Sequence, residues 1–113
     1  MSEVTIFERI LAGDINASKV YEDEVVLAFK DIAPQAEVHV LVIPKRKARS
    51  LTEMAQECSA TELGEFMKRL PLVAEKCGLS EYRTVFNTGE GAGQTVLYVH
   101  AHIMGGGPLG KLG

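Results

Sequence analysis

Tryptophan is absent, cysteine occurs twice and histidine only three times in the 113 residues. Cys58 and Cys77 stand far apart with no C-x-x-C spacing, so neither a zinc-ribbon site nor a disulfide framework is implied. An excess of positive charge is also missing: twelve Lys and Arg stand against fifteen Asp and Glu, a formal net charge of −3. That balance argues against nucleic acid as a bulk electrostatic partner. No apolar run approaches the ~18 residues of a membrane span. The longest stretch near the centre, Ala36 to Pro44, is interrupted by Glu37 and His39. The opening Met1-Ser2-Glu3-Val4 lacks a basic region leading into an apolar one, so no signal peptide is expected, and a reducing, cytoplasmic setting is. What is present is a globular composition, 46% hydrophobic, at a length that suits one domain over residues 1–113.

Apolar spacing predicts a short amphipathic helix from Thr5 to Ala12, stopped by Gly13. Val20 to Phe29 reads as two strands around the acidic turn Glu22-Asp23-Glu24, and Asp31 to Gln35 as a turn, since Pro34 disfavours helix at Ala33. Val38 to Ile43 is a β-branched strand ended by Pro44. Lys45-Arg46-Lys47-Ala48-Arg49 is a basic loop, either a solvated stretch or a phosphate-binding or nuclear-targeting patch. Ser59-Ala60-Thr61-Glu62 has capping-box spacing and opens a long helix with the stripe Leu63, Phe66, Met67, Leu70, Ala74, Cys77, stopped by Gly78. Pro71 removes the bond to the Met67 carbonyl and predicts a kink or break there. Tyr82 to Asn87 is a strand, Thr88 to Gly93 a glycine-rich loop, Thr95 to Met104 a last strand, and Gly105 to Gly113 an extended or mobile tail. This order makes an α+β domain, an antiparallel sheet with one long and one short helix.

Chemistry concentrates near the end of the chain. On a strand, Tyr98, His100 and His102 share one face while Val99, Ala101 and Ile103 point the other way into a core. A polar stripe backed by an apolar one suits a cleft, although a half-exposed sheet edge carrying incidental histidines has the same spacing. Just upstream, Asn87-Thr88-Gly89-Glu90-Gly91-Ala92-Gly93-Gln94-Thr95 is either an ordinary turn or a loop whose amides face phosphate oxygens.

The segment Gly93-Gln94-Thr95-Val96-Leu97-Tyr98-Val99-His100-Ala101-His102-Ile103-Met104-Gly105-Gly106 resembles the signature of the histidine-triad (HIT) nucleotide-binding family, in its small Hint-type branch. Phe29 to Ala36 is similar to that family's nucleotide-edge segment, His39 to Lys45 to its second strand, and Ile6-Phe7 to its opening helix. The likeness runs from about Thr5 to Gly106. It departs at the first triad position, where Tyr98 stands in place of histidine.

The resemblance implies a HIT-like fold and a hydrolase that cleaves purine nucleoside phosphoramidates or related nucleotidyl conjugates. His100 is then the nucleophile at the α-phosphorus, and a nucleotidyl-histidine is hydrolysed in a second step. His102 and the amides around Gly93 to Thr95 would neutralise the phosphoryl oxygens, and Thr95 would assist the leaving group. Asp31 would accept from the ribose hydroxyls. Phe7, Ile10 and Ile32 would flank the base, Gly93 and Gln94 would join the nucleotide site, and Asn87 would hold the phosphate or the loop. His39 and Tyr98 would support the histidines from behind, with the Tyr98 main chain holding His100. A homodimer and no cofactor are also implied. Two other enzyme-like or binding readings stay open: hydrolysis of dinucleoside polyphosphates, and a regulatory nucleotide-binding protein with weak or no catalysis. A metal site built from His39, His100 and His102 is the third alternative, but no cysteine or carboxylate stands nearby in the sequence.

Overall fold

The computed structural model describes residues 4–111, so the terminal residues 1–3 and 112–113 of the expected domain and tail lie outside the described residues. Its elements run α1 (Ile6–Leu11), β1 (Lys19–Glu22), β2 (Val26–Lys30), β3 (Val38–Pro44), α2 (Leu51–Glu57), α3 (Ala60–Lys76), β4 (Tyr82–Phe86) and β5 (Ala101–Gly105). The five strands form one antiparallel sheet in the order β1-β2-β3-β5-β4. The fold is α+β, as the sequence pattern implies. Among the described residues no helix is long and apolar enough to cross a membrane.

Strand alternation divides the core into two layers. Val26, Ala28, Val40, Val42, Ala101 and Ile103 lie on one face of the sheet under Phe66, Leu70, Val73 and Ala74 of α3. Leu27, Phe29, Leu41 and Ile43 lie on the other, covered by Phe7 and Ile10 of α1 and by Tyr98. Because α1 has only six residues, it covers only part of that second face. The histidines sit on the same face.

Both anticipated helix starts are present as capping boxes, Thr5 with Glu8 and Ser59 with Glu62. The end of α3 is a Schellman turn: Gly78 sits at φ +76°, its N–H bonds the Glu75 carbonyl, and the Leu79 N–H bonds the Ala74 carbonyl. Pro71 does not interrupt α3, contrary to the expected break. Pro71 and Met67 both lie on the exposed face, so water can take the Met67 carbonyl that the proline leaves free. Phe66 and Leu70 before it, and Val73 and Ala74 after it, stay seated on the sheet. Their burial, about 1.5–3 kcal/mol for each large side chain, outweighs a proline cost of ~3 kcal/mol.

Helix α2 was not anticipated. Ser50 caps it by accepting from the Glu53 N–H, and Ser50-Leu51-Thr52-Glu53 is itself a capping pattern that the neighbouring basic stretch obscures. The last strand is shorter than Thr95 to Met104. Thr95 to His100 stay outside the ladder because their bonds go elsewhere, the Val99 N–H to the Ala48 carbonyl and the Val96 carbonyl to the Gln94 side chain. The alternation of side chains survives nonetheless. The tail also departs from expectation: Gly105 belongs to β5, and Arg83 donates to the Gly110 carbonyl at 2.7 Å.

Asp23 joins the first hairpin to α3. One carboxylate oxygen accepts from the Val25 and Val26 N–H groups, and the other from the Tyr21 hydroxyl and Arg69 Nε at 2.7 and 2.9 Å. Burial alone would raise this carboxyl, but its hydrogen bonds outweigh burial and hold it well below the usual range. A depressed carboxyl stabilises the fold above its unfolded pKa of ~3.9, and the contribution fades as pH falls below that value. Asp23→Ala should therefore cost about 2–3 kcal/mol near neutral pH, with a gap from wild type that narrows below about pH 4. Urea melts across the pH range read this directly, and a pH-independent gap would contradict it.

Candidate active site

The three histidines converge through the pairing of β3 with β5. Leu41 lies opposite His102 and His39 opposite Met104, which sets His39 one diagonal step from His102 on the same face. His39 Nε2 and His102 Nδ1 are 2.9 Å apart, and the His100 and His102 rings lie 5.1 Å apart between centroids. His100 projects from the extended segment before β5, and its ring meets Phe7 edge-on at 5.0 Å.

Hydrogen-bond partners assign each tautomer. The Tyr98 carbonyl can only accept, so His100 Nδ1, at 2.7 Å, is the protonated nitrogen and Nε2 keeps its lone pair. At His39 the order is reversed: the Gln35 N–H donates to Nδ1 at 2.9 Å, so the proton of the neutral ring is on Nε2. That proton is donated to His102 Nδ1, with an Asp31 carboxylate oxygen 3.4 Å away as a weaker second acceptor. His102 then carries its own proton on Nε2. The Gln35 amide, acting through His39, thus leaves an N–H on His102, and the Tyr98 carbonyl leaves a lone pair on His100 beside it.

Burial is the main cause of the low basicity of both rings. Desolvation lowers the His100 pKa against the opposing effects of the Tyr98 carbonyl and Asp31. His102 is pushed down to about 4 by desolvation first, then by the neighbouring His100 and His39. Both rings are therefore neutral at pH 7.

A cleft of about 770 Å³ runs past these rings. Of the residues singled out from the sequence, Phe7, Ile10, Asp31, Ile32, Thr95, His100 and His102 line it together. Phe7 and Ile10 form its buried floor, whereas Ile32 is 96% exposed at the rim. Segment 15–18 with Ile6, Phe29, Lys30, Leu41 and Val96 completes the walls; nothing in the periodicity of residues 15–18 marks them as lining.

Three residues expected at the nucleotide, Gly93, Gln94 and Asn87, have hydrogen-bond partners within their own loop. The Gly93 and Gln94 amides bond the Glu90 and Gly89 carbonyls, because the glycine-rich loop folds into a 3-10 turn over Glu90–Ala92 that uses them internally. Gly93 stands at φ +91°, a conformation that favours glycine. The Gln94 side chain is buried and tied to the Gly89 N–H and to the Arg49 and Val96 carbonyls. Asn87 donates to the Ala92 carbonyl at 2.9 Å and so ties the loop together. The Tyr98 hydroxyl bonds the Pro44 carbonyl at 2.5 Å, and burial pushes its pKa up to about 12.

A metal would find a different donor set from the three imidazoles. Atoms of Asp31, His39 and His102 lie within 4.8 Å of one another, so a carboxylate distant in sequence stands close in space. His100 is outside that set, its Nδ1 held by Tyr98.

The HIT domain model matches residues 12–109. The chain belongs to the HIT domain family. It is 49% identical to an uncharacterized HIT-like protein of Synechococcus elongatus over 110 residues, 96% of each chain. It is 38% identical to the purine nucleoside phosphoramidase of Escherichia coli strain K12 over 114 residues, 99% of this chain and 95% of that one. Among solved structures, a HIT family hydrolase from Clostridium thermocellum superposes with a TM-score of 0.84 at 36% identity, covering 99% and 98% of the two chains. A histidine triad protein from Clostridium difficile gives 0.85 at 33% identity over the whole of both.

Two measurements check the geometry without any substrate. In an NMR titration of the imidazole rings, His102 should stay neutral down to about pH 4 and His100 should titrate below its ordinary 6.5; a His102 ring protonating above 6.5 would contradict the tautomer chain. Tyr98→Phe removes a buried hydrogen bond and should cost about 1–2 kcal/mol of stability while leaving the His100 titration in place. A large shift of the His100 ring in that variant would mean the hydroxyl acts on the site.

Proposed function

We propose that the protein is a nucleotidyl hydrolase that cleaves the α-phosphorus bond of purine nucleoside phosphoramidates through a covalent intermediate on His100. The observation that carries this reading is the 2.7 Å bond from His100 Nδ1 to the Tyr98 carbonyl, which leaves Nε2 as a neutral, oriented lone pair in the cleft. The phosphoramidase of Escherichia coli and the hydrolase of Clostridium thermocellum to which the chain is similar support the same class.

In the first step His100 Nε2 bonds to phosphorus as the bond to the leaving nitrogen breaks. The ring, still protonated at Nδ1, gains positive charge, which the Tyr98 carbonyl stabilises. His102 Nε2–H donates to a non-bridging oxygen, and the Thr95 hydroxyl lies on the cleft wall where a departing amine can take up its proton. In the second step water bonds to phosphorus as the bond to His100 Nε2 breaks, and one water proton restores the Thr95 hydroxyl, so that the nucleoside monophosphate follows the amine released in the first step. Asp31, Ile32, Phe7 and Ile10 supply the matching chemistry for ribose and base: a carboxylate acceptor for hydroxyl donors, and apolar faces for a flat ring.

The homodimer implied by the family resemblance belongs to this reading. It is compatible with β4 as an edge strand whose Tyr82 side is open.

His100→Asn keeps the shape of the pocket and removes the nucleophile. Hydrolysis of adenosine 5′-phosphoramidate should fall at least ~10³-fold while AMP binding by calorimetry changes little. Near wild-type turnover in this variant would sink the mechanism. Faster turnover of a dinucleoside tetraphosphate than of the phosphoramidate by the wild-type protein would replace the substrate class.

A further inference from the structure

Most of the basic stretch Lys45–Arg49 is explained by ion pairs with other elements: Lys45 reaches Glu22 at 2.9 Å and Arg46 reaches Glu62 at 2.6 Å. Lys47 and Arg49 have a second aspect. They line a cavity of about 540 Å³ that shares Ile6, Thr95 and Val96 with the wall of the histidine cleft. Apart from Thr5 its other walls are apolar and open, with Val4 61%, Ile6 45% and Leu97 55% exposed, and among the described residues no carboxylate lines it.

The backbone that carries the two cations is tied to the segment around Thr95. The Val99 N–H bonds the Ala48 carbonyl at 2.8 Å, and Gln94 Nε2 bonds the Arg49 carbonyl at 2.5 Å. Arg49 uses only Nε on its partner Glu53, at 2.7 Å, so among the described residues both terminal guanidinium nitrogens are without a partner. Those two nitrogens form the fork that binds a carboxylate bidentately. Lys47 is paired with Glu8 at 3.1 Å and adds a second positive group.

We propose that this cavity is the subsite for the leaving group, and that it selects an amine with an apolar body ending in a carboxylate, bound by Arg49 with help from Lys47. The assignment rests on the nucleotidyl-hydrolase reading above and names the substrate class of that site. The apolar walls share one cavity with Thr95, beside which the scissile bond would sit, and with the two cations. An aliphatic spacer meets those walls favourably, and a bare polyphosphate chain does not. Because Glu8 and Glu53 already offset the two cations, the gain from the carboxylate is moderate, about tenfold in affinity.

The test is calorimetric, on the His100→Asn protein so that substrates stay intact. The probes are AMP joined through a P–N bond to 6-aminohexanoate, the methyl ester of that conjugate, AMP alone and ATP. The free acid should bind about tenfold more tightly than the ester. Adding Arg49→Glu should abolish or reverse that ratio without weakening AMP, and Glu53→Gln, which frees the guanidinium, should keep or widen it. Arg49→Met, checked by thermal melting, replaces Arg49→Glu if the charge reversal impairs folding. Equal binding of acid and ester, or a ratio unmoved by either Arg49 variant, overturns the subsite while AMP binding leaves the parent reading standing. ATP bound more tightly than the free acid, and lost with Arg49, overturns the carboxylate assignment in favour of phosphate. Failure of AMP and both conjugates to bind overturns the parent reading and the subsite with it.

Discussion

The site depends on the register between β3 and β5. With Leu41 opposite His102 and Val42 opposite Ala101, the valines, Ala101 and Ile103 face α3 while His39 and His102 face the cleft. A slip of one residue in either strand would bury an imidazole beneath α3 and turn a core residue outward. Side chains in the core therefore hold the histidines in place from the opposite face of the sheet. Phe66, Leu70 and Val73 seal that face, so the pairing cannot relax without exposing them.

Burying imidazoles is costly unless their nitrogens are partnered, and the cost is met through a short series of hydrogen bonds. The Gln35 amide fixes His39, His39 fixes His102, and the Tyr98 carbonyl fixes His100. Among the described residues no buried side-chain nitrogen or oxygen is left without a partner. The same burial that makes those bonds necessary lowers the basicity of His100 and His102, so orientation and protonation state have one origin. Histidine at the first triad position is not required for this. The Tyr98 side chain packs in the second core layer and bonds Pro44, while its main chain performs the contact with His100.

Much of this was legible in the chain because it is written in short periods. The alternation of Val99, Ala101 and Ile103 with Tyr98, His100 and His102 marks two faces, and the apolar spacing after Thr5 and the capping box at Ser59 mark the helices that cover them. What was not legible depends on long-range partners. Pro71 is tolerated because packing on both sides of it fixes α3. The internal bonds of Gly93, Gln94 and Asn87 within their loop are not signalled by its glycine spacing. Asp31 stands beside His39 and His102 only because β3 folds back along β2 and pairs with β5, a proximity that no local spacing encodes.

The central claim is that His100 Nε2 is a nucleophile and not merely a binding group. Rapid quenching of the protein with excess adenosine phosphoramidate, followed by peptide mass spectrometry under neutral conditions, tests it most directly. The account predicts a nucleotidyl adduct on the peptide carrying His100, localised to that ring and absent from His100→Asn. Steady turnover with no adduct at any quench time, or an adduct on His102 in its place, would contradict it.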